Sequence, residues 1–240
     1  MLNMLVIEDN VIECQQLINI ISSQISDLKL YSMTFNGKDA LDILEKDKID
    51  IILLDLILPD ISGINIIEYI ERKKLSNYEN SIVVVSGETY LHPEFSKNPY
   101  IYSCFQKPIN FNALVQCIEN IIKDKNNNIN QLIIKDKINN ELGKLNYNFS
   151  YIGTQYLSEC IYEIFTKNLK SFNLSRDIYP LIAKKHSTNV NNIKCNIFQA
   201  TLNSYYDCEQ NKLEQYFKRV FYEKPKTKDV IYTILSYIKN

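Results

Sequence analysis

The sequence predicts an α/β domain built on a doubly wound, five-stranded parallel sheet, followed by an all-α domain that contains a helix-turn-helix. Three observations predict this. Short β-rich apolar runs alternate with helically spaced segments up to about residue 122, β-rich runs nearly vanish from about residue 131, and the charge changes sign between the halves. Residues 1–130 hold 11 Lys+Arg against 18 Asp+Glu, a net −7, and the rest holds 16 against 10, a net +6. The overall charge of -1 across 240 residues therefore conceals an acidic half and a basic half, and it excludes nothing about nucleic acid. A 45% hydrophobic content argues against a disordered chain, and only five Gly and six Pro leave little material for all-β turns.

In the first half, strands are predicted at 3–7 (NMLVI), 29–33 (KLYSM), 50–54 (DIILL), 82–85 (IVVV) and 100–105 (YIYSCF). Helical spacing of apolar residues lies between and after them, at 11–22, 38–45, 64–72 and 111–122. Strands alternating with helices make right-handed βα units, and the very apolar third and fourth strands suit the sheet interior. The polar stretch KDKNNNIN (123–130) reads as the start of a linker, giving domains at 1–122 and 140–240 with 123–139 between them. In the second half, helices are predicted at 131–142, 154–168, 178–186, 189–206, 210–221 and 227–238.

The acidic half concentrates chemistry at its strand ends. In a doubly wound sheet the functional crevice lies at the carboxyl ends of the strands. Glu8 and Asp9 end the first strand, Asp55 the third and Ser86 the fourth, and Lys107 follows the fifth, so five groups far apart in sequence converge. Three clustered carboxylates repel one another unless a cation neutralises them, and oxygen-only ligands select a hard ion such as Mg²⁺. Lys107 supplies a point charge for a phosphoryl oxygen and Ser86 a hydroxyl donor. The chemistry that fits is phosphoryl acceptance on an aspartate.

The motifs LVIEDN, D-x-x-x-P-x-x-x-G (Asp55, Pro59, Gly63), VVVSG and Lys107-Pro108, in that order, resemble the receiver domain of bacterial response regulators, a flavodoxin-like fold. The resemblance implies that Asp55 is the phosphoacceptor and that Glu8, Asp9, Asp55 and the Ile57 backbone carbonyl surround Mg²⁺. It also implies that Ser86 and Lys107 sense the phosphate, and that the Lys107-Pro108 peptide is cis. One departure stands out. Three residues before the lysine the family carries a rotating aromatic, and this chain has Cys104, with Tyr102 and Phe105 as its nearest replacements.

In the basic half, residues 178–206 read as helix, polar break at His186–Asn189, and second helix. Ile182, Ala183, Val190, Ile193, Ile197 and Leu202 are the predicted core of this corner. Asn191, Asn192, Lys194, Cys195, Phe198 and Gln199 fall on the outer face, with Lys184, Lys185 and KPKTK (224–228) available to DNA phosphates. YPLIAKKHST, IGTQYL and EKPKTKDVIYTILSYI are similar to the C-terminal effector domain of the stage-zero sporulation protein A family. That resemblance implies a phosphorylation-controlled transcription regulator in sporulation-related gene control, not an enzyme. Its implied partners are a sensor histidine kinase or histidine phosphotransferase, DNA, and a second copy on phosphorylation. Family arginines match Asn192, Cys195 and Phe198 here, which predicts altered DNA reading or, alternatively, a diverged paralogue acting through protein contacts.

Other features point away from competing classes. IDIILLDLILP is too short and too charged to span a bilayer, and residues 1–7 lack a basic segment, so a cytoplasmic location is expected. The six cysteines (14, 104, 117, 160, 195 and 208) show no metal or disulfide spacing and read as reduced thiols. His92 and His186 are isolated and read as structural.

Overall fold

Five parallel strands, β1 (Leu2–Ile7), β2 (Leu28–Thr34), β3 (Ile51–Leu54), β4 (Ile82–Ser86) and β5 (Ile101–Gln106), pair in the order β2-β1-β3-β4-β5. The computed structural model describes residues 1–87 and 97–239. All five predicted strands are present, with ends differing by at most one residue from the sequence pattern at either side. The chain forms two compact units, Met1–Asn127 and Asn128–Asn240.

The sheet of the first unit is apolar on both faces, because each central strand sends alternate residues to opposite sides. Met4, Val6, Ile51, Leu53, Val83 and Val85 pack with α1 (Val11–Gln24) and the start of α4 (Phe111–Lys144). Leu5, Ile7, Ile52, Leu54, Ile82 and Val84 pack on the other face with α2 (Gly37–Lys46) and α3 (Gly63–Arg72). Side-chain caps start these helices: Asn10 accepts from Ile12 and Glu13 N–H, Asn36 from Asp39, and Ser62 from Asn65.

The fifth strand holds one irregularity. Ile82 is opposite Ile101 but Val83 is opposite Ser103, so Tyr102 is an extra residue on β5. The bulge shifts the alternation by one. Tyr102 and Phe105 both pack against the cluster of α1 and α4, whereas Cys104 packs with Val84 against the opposite cluster. Neither ring therefore substitutes for an aromatic at position 104, because each sits on the wrong face of the sheet.

The stretch expected as a linker is helical. Residues 123–139 are helical throughout, inside the 34-residue α4. KDKNNNIN contains neither Gly nor Pro, so nothing in it stops a helix despite the weak propensity of Asn. Lys125 anchors the stretch by donating to Ser81 Oγ at 2.7 Å.

The second unit is all helical, from the end of α4 through α5 (Ile152–Thr166), α6 (Tyr179–Lys185), α7 (Val190–Asp207), α8 (Gln210–Phe217) and α9 (Thr227–Ile238). A π-helical turn, Leu174–Ile178, leads into α6. Its core joins Ile138 and Leu142 of α4 to Leu157 and Ile161 of α5, Ile182 and Ala183, Ile193 and Ile197, and Ile231 and Ile234 of α9. α5 and α7 cross closely at Gly153, where a β-carbon would lie 2.0 Å from the Asn196 carbonyl oxygen. Of the predicted corner residues, Leu202 stays outside this core, and Thr201 and Ser204 are buried instead. Both are hydrogen-bonded: Thr201 Oγ1 donates to Ile197 O at 2.9 Å, and Ser204 Oγ donates to Leu145 O at 2.7 Å.

Candidate functional site

β1 and β3 are neighbours whose onward connections leave to opposite sides, and that switch point opens a crevice at their carboxyl ends. Glu8 directly follows β1 and Asp55 directly follows β3, and both are buried, with Asp9 exposed beside them. One carboxylate oxygen from each of Glu8, Asp9 and Asp55 lies within 4.8 Å of the others. An oxygen-only, triply anionic donor set of this kind fits a hard divalent cation.

Lys107 enters this cluster from the end of β5. Its Nζ donates to Asp55 Oδ2 at 2.5 Å and to Glu8 Oε2 at 2.8 Å, and lies 2.7 Å from Glu13 Oε2. Burial works against the lysine charge, but hydrogen bonds to Asp55, Glu13 and Glu8 outweigh it and push the ammonium above its ordinary pKa. Burial raises the Glu8 carboxyl, opposed by the Lys107 hydrogen bond and reinforced by the charge of Asp55. The Lys107-Pro108 peptide is cis. The Lys107 N–H donates to Ser86 O at 2.9 Å, which ties the lysine backbone to the buried end of β4.

The loop after β3 closes over the acidic group. Ile57 N–H donates to Asp55 Oδ1 at 3.0 Å, so both Asp55 oxygens are engaged. Gly63 N–H donates to Leu56 O at 2.9 Å, bringing the start of α3 against the strand end. A β-carbon at Gly63 would lie 2.4 Å from the Asp55 carbonyl oxygen, so this position admits only glycine without a shift of backbone. Asp60 accepts from Gly37 and Lys38 N–H at 2.7 and 3.0 Å, and these backbone bonds lower its pKa.

Glu13 is the site residue that the sequence pattern did not single out. It stands in the first turn of α1, where an acidic residue ordinarily serves the helix dipole. Its four-residue offset from Asp9 was the available signal, since that spacing brings the first turn of a helix back over its entry loop. Asn10 Nδ2 donates to Glu13 Oε1 at 3.0 Å and holds the other oxygen for Lys107.

In the second unit α6 and α7 form the helix-turn-helix, with Ser187 in the left-handed region at φ 50 and Asn189 capping α7 through Asn192 N–H. Lys184, Lys185, Asn191, Asn192, Lys194, Cys195, Phe198 and Gln199 are all exposed, while Ile193 and Ile197 face the core. Lys185 pairs with Glu159 of α5 at 2.8 Å, and His186 meets the same carboxylate at 2.9 Å. His186 also packs edge-on against Tyr156, in keeping with its structural reading. His92 lies outside the described residues. All six cysteines are free thiols. Among the described residues no helix is long and apolar enough to cross a membrane.

Comparison with known proteins yields two family matches in tandem. The response regulator receiver domain matches residues 4–119, and the sporulation initiation factor Spo0A C-terminal domain matches residues 138–238. Solved structures similar to the first half include the Francisella response regulator 1452 receiver domain, at 17% identity and TM-score 0.45, spanning 52% of this chain and 99% of that one. The receiver domain of a DNA-binding response regulator from Colwellia psychrerythraea is 24% identical with TM-score 0.44, spanning 51% and 99%. Response regulator TrrA from Thermotoga maritima, in complex with Mg(2+)-BeF, is 20% identical with TM-score 0.42, spanning 50% and 99%.

A receiver domain joined to an effector domain is the composition of a response regulator, a transcription regulator controlled by phosphorylation. The C-terminal match then fixes the branch. The second half carries a Spo0A C-terminal domain, and this pairing with a receiver domain supports a response regulator linked to sporulation.

Proposed function

We propose that Asp55 accepts a phosphoryl group from a phosphohistidine donor, with Mg²⁺ held by Glu8, Asp9, Asp55 and the Ile57 carbonyl. The observation that carries this reading is the Lys107 ammonium seated among Glu8, Asp55 and Glu13, an internal cation at the group formed by Glu8, Asp9 and Asp55, whose carboxylates approach one another within 4.8 Å. The chemistry a bound Mg²⁺ supplies is neutralisation of charge on the transferring phosphoryl group. An Asp55 oxygen forms the new P–O bond as the donor's P–N bond breaks. Lys107 must leave Asp55 Oδ2 for a phosphoryl oxygen, and Ser86 donates its hydroxyl to another. The protein acts as an acceptor and switch rather than as an enzyme.

Phosphorylation then alters the receiver surface, promotes self-association, and presents the outer face of α7 to DNA. The donor is a sensor histidine kinase or histidine phosphotransferase, in the cytoplasm. Residues 88–96, between β4 and β5, lie outside the described residues. Phosphodonor labelling tests the acceptor: wild type takes up label and Asp55→Asn does not, and equal labelling of the two removes Asp55.

A second reading, a paralogue acting through protein contacts, is favoured by Asn192, Cys195 and Phe198 on the exposed face of α7, where arginines match in the family. Mobility shifts at stated salt separate the two. Weak or absent preference for the usual sporulation box over random DNA is expected, and tight selective binding to that box eliminates the second reading.

A further inference from the structure

Lys224 is brought to α7 from a loop between α8 and α9. Its Nζ lies 3.9 Å from the centroid of the Phe198 ring, well inside the range at which an ammonium is held over an aromatic face. Phe198 is 49% exposed, and the neighbouring exposed positions of α7 include Lys194, Cys195 and Gln199. A large ring exposed on a helix has no reason in core packing, since the buried stripe of α7 is made by Ile193, Ile197, Ala200 and Thr201.

The loop that carries Lys224 is anchored on both sides. Phe221 is buried with Cys208 and Leu213 and meets Phe217 edge-on, and its carbonyl accepts from Gln210 Nε2 at 3.1 Å. Pro225, immediately after the lysine, is buried too. Arg219, the other cation packed on a ring of this loop, pairs with Asp229 at 2.7 Å, so its charge is already compensated. Lys224 has no such carboxylate partner among the described ion pairs. A fixed loop and a fixed ring thus deliver one uncompensated ammonium over the outer face of α7.

We infer that Phe198 is a positioning residue for Lys224, and that the pair forms a phosphate contact on duplex DNA rather than a base-reading contact. A lysine ammonium is a point charge without the fork that reads guanine, and the ring beneath it carries no hydrogen-bonding group. Holding the flexible lysine stem over the ring reduces the rotamer freedom lost when the ammonium meets a phosphate. This inference rests on α7 being the DNA-facing helix.

The test uses the full chain and random-sequence duplex DNA, with affinity measured across a salt series. Lys224→Ala should weaken binding about three- to tenfold and make the slope of log K against log salt shallower by about 0.9, the value for one phosphate. Phe198→Ala should reproduce most of that loss although the lysine remains, and Phe198→Tyr, which keeps the ring, should retain wild-type affinity and slope. The double variant should be no weaker than Lys224→Ala alone. Wild-type behaviour of Phe198→Ala, additive losses in the double variant, or a Phe198 effect that depends on base sequence would each overturn the inference while leaving DNA binding intact. If the wild-type chain does not bind duplex DNA even at low salt, the DNA-facing role of α7 fails and the inference with it.

Discussion

Lys107 shows how a single side chain can stabilise an arrangement that its neighbours alone would not tolerate. Glu8 and Asp55 are buried acids at adjacent strand ends, and the lysine ammonium touches both. Removing one partner of such a group leaves the others uncompensated. Lys107→Ala should therefore cost about 1–3 kcal/mol in the presence of a chelator and recover most of that in millimolar Mg²⁺. Thermal melts of wild type and variant with and without Mg²⁺ check this, and a Mg²⁺-independent loss counts against the site. The three carboxylates and the lysine were legible in the sequence because each ends or follows a strand, and strand ends converge in a parallel sheet. Glu13 was not, because an acid in the first turn of a helix has a common local reason to be there. The displacement of Tyr102 was equally hidden, since a bulge depends on how two strands pair and leaves no mark on one strand read alone.

At the level of elements, α5 is held to the end of α6 by Glu159, which accepts from both Lys185 and His186. Burial works against its charge, but the two hydrogen bonds outweigh it and hold the carboxyl below its usual pKa. A depressed acid contributes stability that is present above the unfolded pKa, about 4.3, and is lost as pH falls through the folded value. Glu159→Gln should therefore lose less stability than wild type as pH falls from about 5 to about 3, with a difference below about 1 kcal/mol because the site is partly exposed. Denaturant unfolding at a series of pH values measures it. Element existence was well marked by periodicity throughout this half. The exception is α4 between 123 and 130, whose polar, mostly exposed residues bury no face and so show no helical pattern to read. The end of α8 is another: the 210–221 pattern stops at Phe217, where Lys218 adopts a left-handed conformation.

For the molecule as a whole, the buried clusters divide cleanly. One, with a small satellite of Cys208, Leu213 and Phe221, consists of residues between Ile138 and Ile238, and the two that sandwich the sheet consist of residues between Leu2 and Ile122. Besides Gly37 at Ile61, one glycine of each unit is pressed against a backbone carbonyl, Gly63 at Asp55 and Gly153 at Asn196. A methyl group at either should cost about 1–3 kcal/mol, and the cost should appear in only one of two unfolding steps. Calorimetry of Gly63→Ala and Gly153→Ala reads this directly, and a shift of both steps by either variant contradicts independent cores. The change of charge sign along the chain, visible in the sequence, follows the same division.

The extra residue at Tyr102 has a consequence for how a phosphorylation event can propagate. It reverses the parity of β5 at one point, so that the large rings of the strand face α1 and α4 while the side of Val84 carries the small sulfhydryl of Cys104. A thiol sweeps out far less volume than a ring when it turns, and it cannot act as the bulky rotor that leaves one cavity to fill another. If Asp55 is phosphorylated as proposed, movement passes through the backbone and the reach of Lys107, a displacement rather than a side-chain rotation.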